Sequence, residues 1–133
     1  MSAEENKRTV RQIFEAFGRA DIPGVLEHVS DDVTWKAPGP SVVSYFGERR
    51  GHAGATEFFV QLGTSVDFEH FEPGAFIAEG ERVVVLGRER GRVKRTDKTF
   101  DNEWALVFNF DGGGRVTGFQ CYENTAAIAE AFS

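Results

Sequence analysis

The sequence predicts an α+β fold in which three N-terminal helices pack into a curved, mainly antiparallel sheet. Three observations carry that expectation. Apolar residues recur at helical spacing through the first half of the chain. From Val66 onward the period changes to strand alternation, and the turns between the strand segments are short enough to join antiparallel neighbours.

Ser2 followed by Glu5 fits a capping box, and Val10, Ile13, Phe14 and Phe17 then repeat at i, i+3, i+4, i+7, so an amphipathic helix ends near Gly18. Asp21 caps a second, short helix that carries Ile22, Val25, Leu26 and Val29, tolerates Pro23 in its first turn and closes at Asp31-Asp32. Val33 to Lys36 reads as a short strand. Ala37-Pro38-Gly39-Pro40 then opens a loop that runs to about Arg50. That loop carries Val42, Val43, Tyr45 and Phe46, too many apolar side chains for a solvated segment, so it should fold over something.

A third helix spans about Ala53 to Thr64, with Phe58, Phe59 and Leu62 inward. Four strands follow, Val66 to Ala78, Arg82 to Lys94, Thr99 to Phe110 and Arg115 to Glu123, and Ala126 to Phe132 makes a short terminal helix. The last two strands form a long hairpin around Asp111-Gly112-Gly113-Gly114. Its first strand is apolar on both faces, with Phe100, Trp104, Leu106, Phe108 and Phe110 on one and Ala105 and Val107 on the other. Such a strand should be covered twice, by helices on one side and by a second sheet or a second subunit on the other. No repeat, linker or low-complexity segment divides the 133 residues, which read as a single domain.

The 13 phenylalanines, set against one Met and two Trp, suggest a core or cavity lined with rings. A net charge of −6 argues against nucleic-acid and anionic-membrane partners, because binding phosphates needs a clustered positive field. Arg88, Arg90, Arg92, Lys94 and Arg95 come nearest to one, and their alternation reads as a solvated sheet face. Cys121 is the only cysteine, which rules out an intrachain disulfide and points to a reducing compartment. No leader is visible and no apolar run approaches the ~18 residues of a span. The expectation is a cytoplasmic protein. His28, His52 and His70 fall on separate elements without metal-ligand spacing, and no phosphate-loop or nucleophile-elbow pattern is present, so neither metal nor cofactor is expected.

The order of elements, with Asp31-Asp32-Val33-Thr34-Trp35 after the second helix, Gly47 and Arg50-Gly51 before the third, Phe58-Phe59, and the ending Asp111…Gly114-Arg115-Val116…Phe119…Tyr122, resembles the nuclear transport factor 2-like superfamily. Within it the chain is most similar to the SnoaL-like and ketosteroid-isomerase-related group. The resemblance implies a conical α+β barrel, a deep apolar pocket, and a homodimer formed through the sheet. It also exposes departures. The isomerases' general base falls at Ala37, and their two oxyanion donors fall at Ile13 and Leu106, none of which can do that chemistry. Compared with the epoxide-hydrolase-like members, Gly87 stands at an arginine, Glu89 at the first aspartate and Asn124 at the water-activating aspartate. Trp35 and Ala37 replace the residues that help hold the water. Asn124 can orient a reacting group but cannot take its proton.

Glu89 is therefore the leading candidate acid or base, and Asn124 the candidate orienting group. Inside a ring-lined cavity, desolvation would raise the Glu89 pKa toward neutrality. The competing reading pairs it at the surface with Arg88, Arg90 and Arg92, and Glu103 is assigned to a subunit interface. Trp35, Tyr45, Phe59, Phe76, Trp104 and Tyr122 are candidate walls of the substrate pocket. The expected function is binding of an apolar small molecule, with cofactor-independent acid/base activity on a carbonyl, polyketide-like or epoxide compound. The alternative is a non-catalytic binding or protein-interaction module of the same fold.

Overall fold

The computed structural model describes residues 1–133. Helix α1 (Ala3–Gly18) starts at the capping box: the Glu5 amide donates to Ser2 Oγ while the Ser2 amide donates to the Glu5 carboxylate, each at 3.1 Å. Two of its orphan amides are satisfied locally. Its buried stripe, Asn6, Val10, Ile13 and Ala16, faces the sheet. Helix α2 is short (Ile22–Leu26) and is capped by Asp21, which accepts from the Gly24 amide.

The chain then enters β1 (Val29–Ala37) earlier than helical spacing suggests. Val29, assigned from sequence to the second helix, is a strand residue: it sits in register with Val116, whose amide donates to His28 O. A parallel ladder to a strand nearly ninety residues away outweighs the local 3.6-residue pattern, a contest that local propensity often loses. The expected long loop is also shorter. Gly47–Arg50 forms β2, antiparallel to β1. The stretch between them buries Val43, Tyr45 and Phe46 and leaves only Val42 of its apolar residues exposed. Arg49 fastens it by donating to the carbonyls of Tyr45 and Ser44.

Helix α3 (Gly51–Ser65) is followed by β3 (Val66–Glu79), β4 (Arg82–Val93), β5 (Thr99–Phe110), β6 (Val116–Tyr122) and α4 (Thr125–Phe132). The strands form one curved, unclosed sheet in the order β2-β1-β6-β5-β4-β3, mixed because β1 and β6 run parallel. Shifts of register at Phe68/His70 and Pro73/Ala75 mark where the long β3–β4 ribbon is irregular, as in a sheet that bends. Helices α1 and α3 lie against the inner face. Helix α4 packs on β5 and β4, held by the loop after β4, where Thr96 and Lys98 donate to the carbonyls of Ala131 and Ser133. No helix is long and apolar enough to cross a membrane.

Along β4 the inner face reads Val83, Val85, Gly87, Glu89, Gly91, Val93, and the outer face Arg82, Val84, Leu86, Arg88, Arg90, Arg92. The outer arginines engage acidic residues across the sheet: Arg88 with Glu72, Arg90 with Asp101 and Glu69, Arg92 with Asp67 and Asp97. Beside this charged lattice runs an apolar band that leaves Ile77, Leu86 and Tyr122 substantially exposed. Glu103 lies on the outer face opposite Arg88.

Candidate functional site

Register builds the site. On the inner face of the β4–β5 ribbon, Gly87 opposes Trp104, Glu89 opposes Asn102 and Gly91 opposes Phe100. The two glycines make room for the rings: a Cβ on Gly87 would stand 2.3 Å from the Trp104 ring, and one on Gly91 would stand 2.5 Å from Phe100. Glu89 is thus seated between two aromatic neighbours with an amide directly across from it. It is buried, 7% exposed.

Asn102 is the hub. Its side-chain Nδ2 donates to Glu89 Oε2 at 3.1 Å and to Glu123 Oε1 at 3.2 Å, while its Oδ1 accepts from the Asn124 backbone amide at 2.8 Å. The backbone donor fixes which way the amide points, since the oxygen must face the Asn124 N–H and both amino hydrogens must face the carboxyls. One nitrogen thus holds two carboxyl oxygens, each within 3.2 Å.

These groups stand at a cavity of about 70 Å³ whose other walls include Trp35, Tyr45, Phe59, Trp104, Phe119 and Cys121. At roughly 10–15 Å³ per water, it has room for several waters or part of a small organic molecule. Phe119 stacks on Trp35 with centroids 4.1 Å apart, and Phe14 and Phe71 stack on Trp104 at 6.2 and 5.3 Å. The walls are therefore pre-formed by ring packing. The indole nitrogen of Trp35 is buried without a hydrogen-bond partner.

Electrostatics follow from that enclosure. Glu89 is pushed up from its ordinary 4.5 to about 8, chiefly by burial and then by the charge of Glu123, with the Asn102 amide and the nearby Trp104 indole pulling it partly back. Glu123 is raised to about 7 by burial, again with Asn102 opposing. Burial raises the Tyr45 hydroxyl and the Cys121 thiol as well, and the two carboxyls add to both. At neutral pH the phenol and thiol therefore keep their protons. Both carboxyls therefore titrate near neutral pH as an interacting pair, so donor and acceptor forms are both within reach one amide apart.

Of the wall residues expected from sequence, Trp35, Tyr45, Phe59 and Trp104 line the cavity together with Glu89. Three expected site residues lie elsewhere. Tyr122 is 54% exposed on the outer face, opposite Ala105, because alternation gives the inward position to Cys121. Phe76 packs edge-on against Phe14, behind the cavity wall rather than in it, and carries the Arg11 guanidinium 4.5 Å over its ring. The Asn124 side chain is the N-cap of α4, accepting from the Ala127 amide at 3.2 Å, and only its backbone reaches the site. The sequence reading had no place for Asn102 or Glu123. Glu123 was within reach of it: Phe119, Cys121 and Glu123 alternate onto one face. Asn102 needed the β4–β5 register.

Ile13 and Leu106, at the places of the isomerases' oxyanion donors, line the cavity, and Ala37 is buried. His52 hydrogen-bonds Val29 O at 2.8 Å, away from the cavity walls. No three His, Cys, Asp or Glu side chains converge closely enough to hold a metal ion.

A family model described as a SnoaL-like domain matches residues 10–119. Among solved structures, a nuclear transport factor 2-like protein from Burkholderia xenovorans LB400 is 35% identical, with 100% of this chain and 99% of that one covered and a TM-score of 0.91. A second such protein, of unknown function, from Burkholderia pseudomallei K96243 is 32% identical over 100% and 99% of the two chains, with a TM-score of 0.89. TerC, co-crystallised with polyporic acid, is 25% identical over 96% of this chain and 98% of its own, with a TM-score of 0.85. No curated protein matches the chain.

Proposed function

The chain belongs to the SnoaL-like family of the nuclear transport factor 2-like superfamily, and from that premise we propose that it binds a compact apolar carbonyl compound and moves protons on it with Glu89 and Glu123. The observation that carries this reading is a pair of carboxyls, Glu89 buried and Glu123 half-buried, held by one Asn102 amide at the ring-lined cavity. TerC's co-crystallisation with polyporic acid supports reading the cavity as a site for an organic molecule.

The steps follow from the two protonation states. Ionised Glu123 takes a proton from the carbon next to the carbonyl and becomes the acid form. Glu89 gives its proton to the carbonyl oxygen and becomes the carboxylate. The bound compound is then an enol, and reversal at the same or a different carbon returns both protons. No electron leaves or enters, so the chain's own residues suffice. Asn102 offers its N–H groups to whichever carboxyl is charged, which favours the exchange in both directions.

The test is deuterium exchange at the carbon beside the carbonyl, followed by NMR in D₂O over a panel of cyclic ketones. Glu89→Gln should slow exchange of an accepted ketone about 100-fold, whereas equal rates in wild type and variant would overturn the proton role. Binding without any exchange would leave a ligand-binding module of the same fold.

The apolar band on the outer face around Ile77, Leu86 and Tyr122 supports a second proposal, that two copies pair through their sheets. Sedimentation should then give a dimer, and Leu86→Arg should shift it to monomer with little change in far-UV circular dichroism.

A further inference from the structure

The cavity wall holds two carboxyls and no positive charge. Lysine, arginine and histidine are all missing from its lining, and the arginines of β4 project from the opposite face of the sheet, where they meet other acids. An ionised carboxylate kept from water seeks a countercharge, and here the protein supplies only an amide. The surrounding rings add to the preference, since aromatic faces attract a cation and give an anion nothing. A second, separate observation concerns the wall opposite in character: the Trp35 indole N–H, on a side chain 2% exposed, has no partner. A buried donor left unpaired in a cavity wall calls for an acceptor on whatever fills the cavity.

Taken together, we infer that the ligand of this cavity is a compact, ring-bearing amine that also carries a hydroxyl or carbonyl oxygen, with its ammonium between Glu89 and Glu123 and its oxygen at the Trp35 N–H. This rests only on the reading of the cavity as a small-molecule site, not on the proton-transfer steps, and assigns it a charged ligand class where those steps take an apolar one. The ammonium brings a positive charge to the two carboxyls and whatever protons they hold pass to solvent, so both become carboxylates and each gains a charge-assisted hydrogen bond. The ring takes the space against Phe59 and Phe119. A ligand bearing a carboxylate or phosphate of its own is disfavoured by the same two groups.

Calorimetric titration with three probes tests this: 2-amino-1-phenylethanol, its neutral counterpart 1-phenylethanol, and the anion mandelate. Wild type should bind the amine about tenfold tighter than the alcohol, as one charge-assisted hydrogen bond provides, with mandelate weakest. In the Glu89→Gln/Glu123→Gln double variant that preference should vanish while binding of 1-phenylethanol, which also reports a folded cavity, persists. Trp35→Phe should weaken 2-amino-1-phenylethanol and leave 2-phenylethylamine, which lacks the oxygen, unaffected. Equal wild-type affinity for amine and alcohol, tightest binding of mandelate, or no binding of the amine would each overturn the inference. The ketone exchange assay decides the proton-transfer reading separately: amine preference without exchange keeps this inference and removes that one, and exchange without amine preference does the reverse.

Discussion

On β4, Glu89 and its neighbours Arg88 and Arg90 are consecutive residues that live in different solvents. The arginines project outward, where Arg90 meets Asp101 at 2.8 Å and Arg88 meets Glu72 at 2.9 Å in a lattice open to water. Glu89 projects inward, 7% exposed, against rings, an amide and a second carboxyl. A one-residue step along a strand thus separates charges that cost little to keep from a charge the fold keeps only by protonating it or by offering it a partner. The lesson is that functional potential at a sheet is set by phase. The same charged residue is inert on one face and poised for proton chemistry on the other.

The inner face is most vulnerable at Gly87, whose missing side chain lets Trp104 lie beside Glu89. Gly87→Val would put a Cβ 2.3 Å from the Trp104 ring and 2.7 Å from the Glu72 carbonyl oxygen. It should cost about 3 kcal/mol in urea unfolding and abolish ligand binding.

A gentler change sharpens the inner side of the contrast. Because the folded pKa of Glu89, about 8, lies above its ordinary 4.5, the stability linked to its proton is fully present below about 4.5 and is lost as pH rises through 8. Wild type should therefore lose on the order of 3 kcal/mol between pH 5 and pH 9 through this group. Glu89→Gln should flatten that slope and be the more stable protein at pH 9. A variant with the same pH slope as wild type would show that Glu89 is not desolvated.

The smallest effect belongs to the outer face. Arg90→Gln removes two exposed ion pairs and should leave the melting temperature within about 2 °C of wild type at physiological salt. A larger loss would mean that the outer face is as consequential as the inner one.

How far the sequence led can be judged on particular residues. The Ser2–Glu5 box, the 3.6-residue stripe of α1 and the glycine turn at Asp111–Gly114 are local signals, and each element formed where its signal lies. Val29 misled, because its helical spacing is local while its partner Val116 is distant. Tyr122 misled for a related reason: aromatic character marks a residue as suited to a pocket, but the phase of β6 decides which face it joins. Asn124 sits two residues past the end of β6, where its side chain finds the α4 amides before it can reach the cavity.

By itself, the sequence determined the α+β class, most element positions and the presence of one suspect carboxyl, since periodicity, caps and turns act over a few residues. Only the tertiary structure decided that Glu89 is indoors, that Asn102 stands across from it and that Glu123 arrives from just past the end of β6 to share the same nitrogen. Those facts depend on strand register and sheet curvature, which are fixed by contacts between residues far apart in the chain, and a carboxyl's pKa follows from its surroundings rather than from its identity.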